Sequence, residues 1–162
     1  MIERIQPGGD SAVWTSPHPG KKPGARVLIV DDDHLLRWAI AETLTVRGYD
    51  VSEAGDATSA MKAFRASRTC TDLVLLDLFL PDACGLCALN LIRVVAPSVP
   101  VILMTAFSTP EIVEQARAVG AVVIPKPFDM GTLAAFVDEA VTGRPAVIPV
   151  APVIYWVSPG AG

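Results

Sequence analysis

No basic cluster occurs in the sequence, and 13 Lys and Arg against 17 Asp and Glu leave a formal net charge of −4. Phosphate contacts need clustered cations, so direct nucleic-acid binding is not expected. Long apolar runs are missing too. Nothing approaches the roughly 20 residues that span a bilayer, and the apolar stretch near the end is broken by Pro149 and Pro152. The opening MIERIQPGGD carries Glu3, Arg4 and Asp10 where a secretory signal would be unbroken and apolar. These absences predict a cytoplasmic protein with no membrane association. Cysteine is scarce and odd in number, three in all, which does not suggest a disulfide framework.

What is present is an apolar, globular composition, 51% hydrophobic and 19% charged over 162 residues, enough for one domain with tails. Residues 1–24 hold Pro7, Gly8, Gly9, Pro17, Pro19, Gly20, Pro23 and Gly24 and are expected to be a flexible leader. Residues 143–162 repeat that pattern as an apolar tail but add Ile154, Tyr155 and Trp156, aromatics that a free tail would expose at a cost.

Between the tails, apolar runs alternate with segments of helical spacing. ARVLIV (25–30) is a β-branched run, followed by helical spacing of Leu35, Ile40 and Leu44 until Gly48. YDVSEA alternates like a strand, Asp56 is placed to cap a helix carrying Ala60, Met61 and Phe64, and TDLVLLD is a continuous apolar strand. The helix GLCALNLIRVV stops before Pro97 and Pro100, and VPVILMTA follows as a fourth strand. Thr109, Pro110 and Glu111 supply an N-cap, an N1 proline and a first-turn acid for a helix that Gly120 ends. AVVIP is the fifth strand, and the last helix runs from about Asp129 to Thr142. Five strands alternating with five helices predict an α/β fold, a parallel five-stranded sheet with helices on both faces. The uninterrupted apolar strands agree with that burial.

Chemistry in such a sheet gathers at the carboxyl ends of the strands. There the sequence places Asp31, Asp32 and Asp33, then Asp77, Thr105 and Lys126 followed by Pro127. Several carboxylates in one crevice repel one another unless a hard cation joins them, and a small oxygen-ligated site is typical of Mg²⁺. A lysine and a hydroxyl nearby complete a site for an incoming phosphoryl group.

From about Arg26 to Val141 the chain resembles the receiver domain of two-component response regulators. The segments VLIVDDDHLLR, LVLLDLFLPDACG, VILMTAF and GAVVIPKPF occur in the family's order and near its spacing. The resemblance implies a flavodoxin-like sheet of order 2-1-3-4-5 and a receiver over residues 25–142. It also implies that Asp77 accepts a phosphoryl group from a sensor histidine kinase or phosphotransfer protein, forming an aspartyl phosphate. Asp31, Asp32, Asp77 and the backbone carbonyl of Phe79 would ligate Mg²⁺, Thr105 and Lys126 would each meet a phosphoryl oxygen, and a cis peptide would precede Pro127. A downstream protein partner would read the modified state, and the face of the fourth helix, fifth strand and fifth helix would serve partners or a homodimer. The remaining residues after Val141 are too few for a helix-turn-helix module, so the output is either protein binding or belongs to a longer regulator. The receiver would promote its own phosphorylation and dephosphorylation without acting on a separate substrate.

Some positions depart from the family's pattern. Val123 stands where an aromatic usually precedes the lysine by three, so the usual ring movement is not expected, and Pro125 removes a backbone donor beside Lys126. Phe79 and Phe107, two residues after the acceptor and the threonine, are bulky enough to hinder attacking water, which predicts slow hydrolysis of the phosphoryl group. Ala106 leaves room for a donor histidine.

Other readings compete. A haloacid-dehalogenase-like phosphatase would need a second Asp where Phe79 stands. Cys84-Gly85-Leu86-Cys87 is a C-x-x-C motif, but it follows the third strand instead of the first, and the motif and Cys70 are read as packing or incidental thiols. Asp33 is read as an N-cap, His34 as an exposed first-turn residue, Trp38 as packing, and Glu111, Glu114 and Arg117 as a solvated face. A receiver-like module that binds its partner without phosphorylation, and a C-x-x-C redox protein, stay open as alternatives.

Overall fold

Five apolar pentapeptides build the sheet. A computed structural model describes residues 24–66 and 71–143, so the expectations for residues 1–23, for Cys70 and for the tail after Gly143 lie outside the described residues. β1 (Arg26–Val30), β2 (Asp50–Ala54), β3 (Leu73–Asp77), β4 (Val101–Thr105) and β5 (Ala121–Pro125) pair in parallel in the order β2-β1-β3-β4-β5. The intervening helices are α1 (His34–Val46), α2 (Ala57–Ala66), α3 (Gly85–Val95), α4 (Pro110–Ala118) and α5 (Met130–Thr142). This is the flavodoxin-like order expected from the resemblance.

Side chains alternate across each strand, and the two rows feed separate cores. Leu28, Val30, Val74, Leu76, Val101 and Leu103 pack with Ala60, Leu89, Ile92 and Ala116 of α2, α3 and α4. Val27, Ile29, Leu73, Leu75, Ile102 and Met104 pack with Ile40, Leu44, Leu133 and Val137 of α1 and α5. All five residues of β3 and of β4 are buried, which is why those strands read as unbroken apolar runs.

The helix starts follow the expected chemistry. Asp33 accepts from the N–H groups of Leu35 and Leu36, Thr109 from Ile112, and Asp129 from Thr132. Asp56 accepts from Ser59 N at 2.6 Å, and a second acid completes that helix start from far along the chain. Asp82, in the β3–α3 loop, accepts from Ala57 N at 2.8 Å, Thr58 N at 2.9 Å and the Thr58 hydroxyl at 2.7 Å. Gly48 and Gly120, which end α1 and α4, have φ of +82° and +72°, the left-handed conformation that favours glycine there.

Two residues of α1 correct the sequence reading. Trp38, expected to pack, is 57% exposed, and Leu35, counted toward the helical pattern, is 74% exposed. The inward stripe runs through Leu36, Ile40 and Leu44, and at 100° per residue Leu35 and Trp38 fall roughly 100° and 200° away from Leu36. Glu111, Glu114 and Arg117 are exposed, as expected of a solvated face.

Candidate functional site

Sheet register assembles the polar residues. Val30 is aligned with Leu76, so Asp31 emerges beside Asp77; Asp77 is aligned with Met104, and Thr105 with Pro125, so Thr105 and Lys126 follow at the next strand ends. Backbone bonds fasten these ends: Asp31 N donates to Ala54 O at 3.1 Å, Leu78 N to Met104 O at 2.9 Å, and Lys126 N to Thr105 O at 2.6 Å.

Asp31 is fully buried and Asp77 is 5% exposed, so both need partners. Lys126 supplies one to each: its Nζ lies 2.6 Å from Asp31 Oδ2 and 3.2 Å from Asp77 Oδ2. Lys126 precedes a cis peptide bond to Pro127, as the resemblance implied. The other Asp77 oxygen accepts from Phe79 N at 3.3 Å, and Asp31 Oδ1 accepts from Asp33 N at 2.9 Å.

Burial pushes the Asp77 carboxyl above its usual value; Lys126 opposes this and the like charge of Asp31 adds to it. For Lys126, burial works downward, but the hydrogen bond and charge of Asp31, joined by Asp77, prevail and hold the ammonium above the ordinary lysine range. The two directions look inconsistent for an ion pair, but one cation is shared by two acids. Lys126 sits nearer Asp31, and Asp77 is left undercompensated.

Asp32 is exposed, and carboxylate oxygens of Asp31, Asp32 and Asp77 all lie within 4.8 Å of one another. Three hard oxygen donors with one lysine between them leave excess negative charge. That donor set fits Mg²⁺, which takes few carboxylates and keeps several waters.

Thr105 is fully buried and its hydroxyl is engaged in its own loop, donating to Phe107 O at 3.1 Å and accepting from Phe107 N at 3.0 Å. The loops after β3 and β4 are therefore both tied to site residues through phenylalanine backbones. The two rings, 54% and 64% exposed, meet edge to face with centroids 5.7 Å apart. Val123 is half-buried against the core under α2, α3 and α4. His34 is exposed.

A model of the response regulator receiver domain matches residues 27–138. The chain belongs to this family. The receiver is 34% identical over 117 residues to the DNA-binding transcriptional regulator NtrC of Proteus hauseri, a match covering 72% of this chain and 24% of that regulator. It is 31% identical over 106 residues to sporulation initiation phosphotransferase F of Bacillus subtilis, covering 65% of this chain and 84% of that protein. Among solved structures, the CheX–CheY–BeF3–Mg complex of Borrelia burgdorferi contains a chain 26% identical with a TM-score of 0.66, covering 69% of this chain and 85% of that chain. The receiver thus spans about a quarter of the NtrC-type regulator and most of the small phosphotransferase.

Two features of the site were not read from the sequence. Arg37 reaches back from α1 to donate through Nη1 to the Asp31 carbonyl at 2.6 Å, while its Nε meets Glu53 Oε2 at 3.3 Å. Its place one turn past the Asp33 cap was the available clue. Gly85 lies so close to the end of β3 that an added Cβ would stand 2.6 Å from Leu78 Cα and 2.8 Å from Leu78 O, and nearer still to Asp77 O. Only the glycine at the head of an apolar helix hinted at such an approach.

Proposed function

We propose that the receiver takes a phosphoryl group onto Asp77 from a phosphohistidine of a sensor kinase or phosphotransfer protein. A carboxylate oxygen of Asp77 attacks phosphorus, the P–N bond breaks, and the imidazole nitrogen keeps the electron pair. Asp31, Asp32, Asp77 and the Phe79 carbonyl are the residues that would hold Mg²⁺, which when bound would offset charge on the transferring oxygens. Lys126 turns from Asp77 toward a phosphoryl oxygen while keeping Asp31. The Thr105 hydroxyl gives up its bonds to Phe107 to meet another oxygen, which moves the β4–α4 loop. A downstream protein that prefers one loop state reads the change, since equal affinity for both would shift nothing.

Residues 25–142 form this unit, with 1–24 and 143–162 outside it. The unit acts in the cytoplasm, makes no direct nucleic-acid contact, turns over only its own aspartyl phosphate, and offers the α4–β5–α5 face to a partner or a second copy. The full chain's net charge of −4 supports the nucleic-acid part of that reading, and no described helix is long and apolar enough to cross a membrane. The CheY complex with BeF3 and Mg supports the metal and phosphoryl parts by likeness.

The observation that carries the proposal is the Lys126 ammonium set between Asp31 and Asp77, with Asp32 completing the acidic cluster. Incubation with Mg²⁺ and acetyl phosphate, followed by intact mass, tests it. Wild type gains one phosphoryl group and Asp77→Asn gains none; an unmodified wild type, or equal modification of both, refutes it.

A further inference from the structure

The motif Cys84-Gly85-Leu86-Cys87 takes no part in the phosphoryl chemistry, yet its geometry is organised. Cys84 is the N-cap of α3 in extended conformation, and its Sγ accepts from Cys87 N at 3.3 Å and lies 3.2 Å from Cys87 Sγ. Both thiols are exposed. Capping alone does not account for the sulfur, because Ser, Thr, Asp and Asn accept backbone bonds better than a thiol does.

The helix start favours a thiolate at Cys84. The Cys87 thiol hydrogen bond, with further bonds from backbone N–H groups, lowers the Cys84 pKa, while the same bond and the Cys84 charge raise that of Cys87. The geometry distinguishes the two sulfurs: Cys84 Sγ accepts from both Cys87 N and Cys87 Sγ, while Cys87 is the donor. A zinc site does not explain the pair. Structural zinc takes four ligands, and the one group of three or more His, Cys, Asp or Glu among the described residues is the carboxylate cluster.

The motif is also wired to the end of β3. Gly85 N donates to Leu78 O at 2.7 Å, and Cys84 forms an antiparallel bridge with Phe79, whose N–H donates to Asp77 Oδ1. We propose that Cys84 and Cys87 are a redox-active dithiol that closes reversibly to a disulfide, and that closure is transmitted to the loop following Asp77. In the forward step the Cys84 thiolate attacks a sulfur of a small-molecule disulfide such as glutathione disulfide, breaking its S–S bond and expelling one thiolate. Cys87 then gives its proton to water and attacks Cys84 Sγ in the mixed disulfide, expelling the second thiolate. Two protein thiols lose two electrons and two protons, and the external disulfide becomes two thiols. A dithiol reductant reverses the sequence. Closure removes the Cys87 S–H donor and makes Cys84 Sγ a poorer acceptor, which loosens the cap of α3.

The experiment uses the full chain with Cys70→Ala, equilibrated at pH 7 in glutathione buffers of graded oxidised-to-reduced ratio, without Mg²⁺ or phosphodonor. It therefore reads nothing from phosphorylation of Asp77. After acid quenching, intact mass and alkylation report the thiols, and ¹H–¹⁵N spectra report the Phe79 and Gly85 amides. The protein is expected to lose the mass of two hydrogens, become inert to alkylation, recover with dithiothreitol, and shift both amide signals on oxidation. Cys87→Ser in the same background traps a glutathione adduct at Cys84 instead. A folded protein that stays reduced in the most oxidising buffer, or ends as a glutathione adduct without internal closure, overturns the dithiol. Closure that leaves both amide signals in place overturns its link to the Asp77 loop.

Discussion

Substituting Gly85 by alanine adds a single methyl group where α3 rests on the end of β3. The new Cβ would stand 2.6 Å from Leu78 Cα and 2.8 Å from Leu78 O, closer than carbon contacts allow, and the neighbours are backbone atoms that cannot rotate aside. Overpacking of this kind costs about 1–3 kcal/mol. Displacing α3 also weakens the 2.7 Å bond from Gly85 N to Leu78 O, worth about 1 kcal/mol net. The smaller entropy loss of alanine returns about 0.4–1 kcal/mol. The sum is a destabilisation of about 1–3.6 kcal/mol, or a fall in Tm of roughly 5–15 °C for a domain of this size. Urea denaturation of wild type and Gly85→Ala, without Mg²⁺, measures it as a shift of midpoint at constant slope. Gly131→Ala is the control: its Cβ would meet only Asp129 Oδ1, at 3.1 Å, the end of an exposed side chain, and its stability is expected within about 1 kcal/mol of wild type. A Gly85→Ala protein within about 0.5 kcal/mol of wild type would refute the steric account.

Lys126→Met leaves Asp31, fully buried, and Asp77 without their shared cation; a loss of about 3 kcal/mol is expected, partly recovered by millimolar Mg²⁺ in the same denaturation assay. Asp77→Asn should raise the urea midpoint at pH 7. Because the folded Asp77 pKa is raised, wild type binds this proton more readily when folded, so the gap between the proteins narrows as pH falls through the folded pKa and has closed by about pH 4, where the unfolded carboxyl protonates as well. Arg93 donates to the carbonyls of Val119 (2.6 Å), Val99 (2.6 Å) and Gly120 (2.9 Å), bridging α3 to the turns before β4 and β5, and Arg93→Ala is expected to cost about 2–3 kcal/mol in thermal or urea unfolding. Double replacement Phe79→Ala with Phe107→Ala opens the rim of the site, and the acetyl-phosphate label should be lost about tenfold faster after donor removal, equivalent to about 1.4 kcal/mol of barrier; an unchanged half-life refutes the shielding.

Legibility followed periodicity and ended where contacts became long-range. Val74, Leu75 and Leu76 are buried on opposite faces, so β3 announced itself as an apolar run closed by Asp77. Because parallel register brings strand ends together, the same reading placed Asp31, Thr105 and Lys126 around it. Helix orientation was harder. Trp38 is apolar yet outward, since aromatic character says nothing of which stripe meets the sheet. The reach of Arg37 to Asp31, the three-carbonyl grip of Arg93 and the close approach at Gly85 depend on distances between separate elements, which no local pattern encodes.

The clasp of Asp82 on α2 bears on the order in which the chain can be assembled. During synthesis Ala57 and Thr58 emerge before the residue that caps them, which lies 25 and 24 positions later. A ten-residue helix is marginal alone, so the first turn of α2 stays frayed until β3 has docked and the loop beyond it has turned back. Amide exchange at Ala57 and Thr58 therefore times the arrival of the β3–α3 loop, and in the finished protein it measures how often that loop lets go.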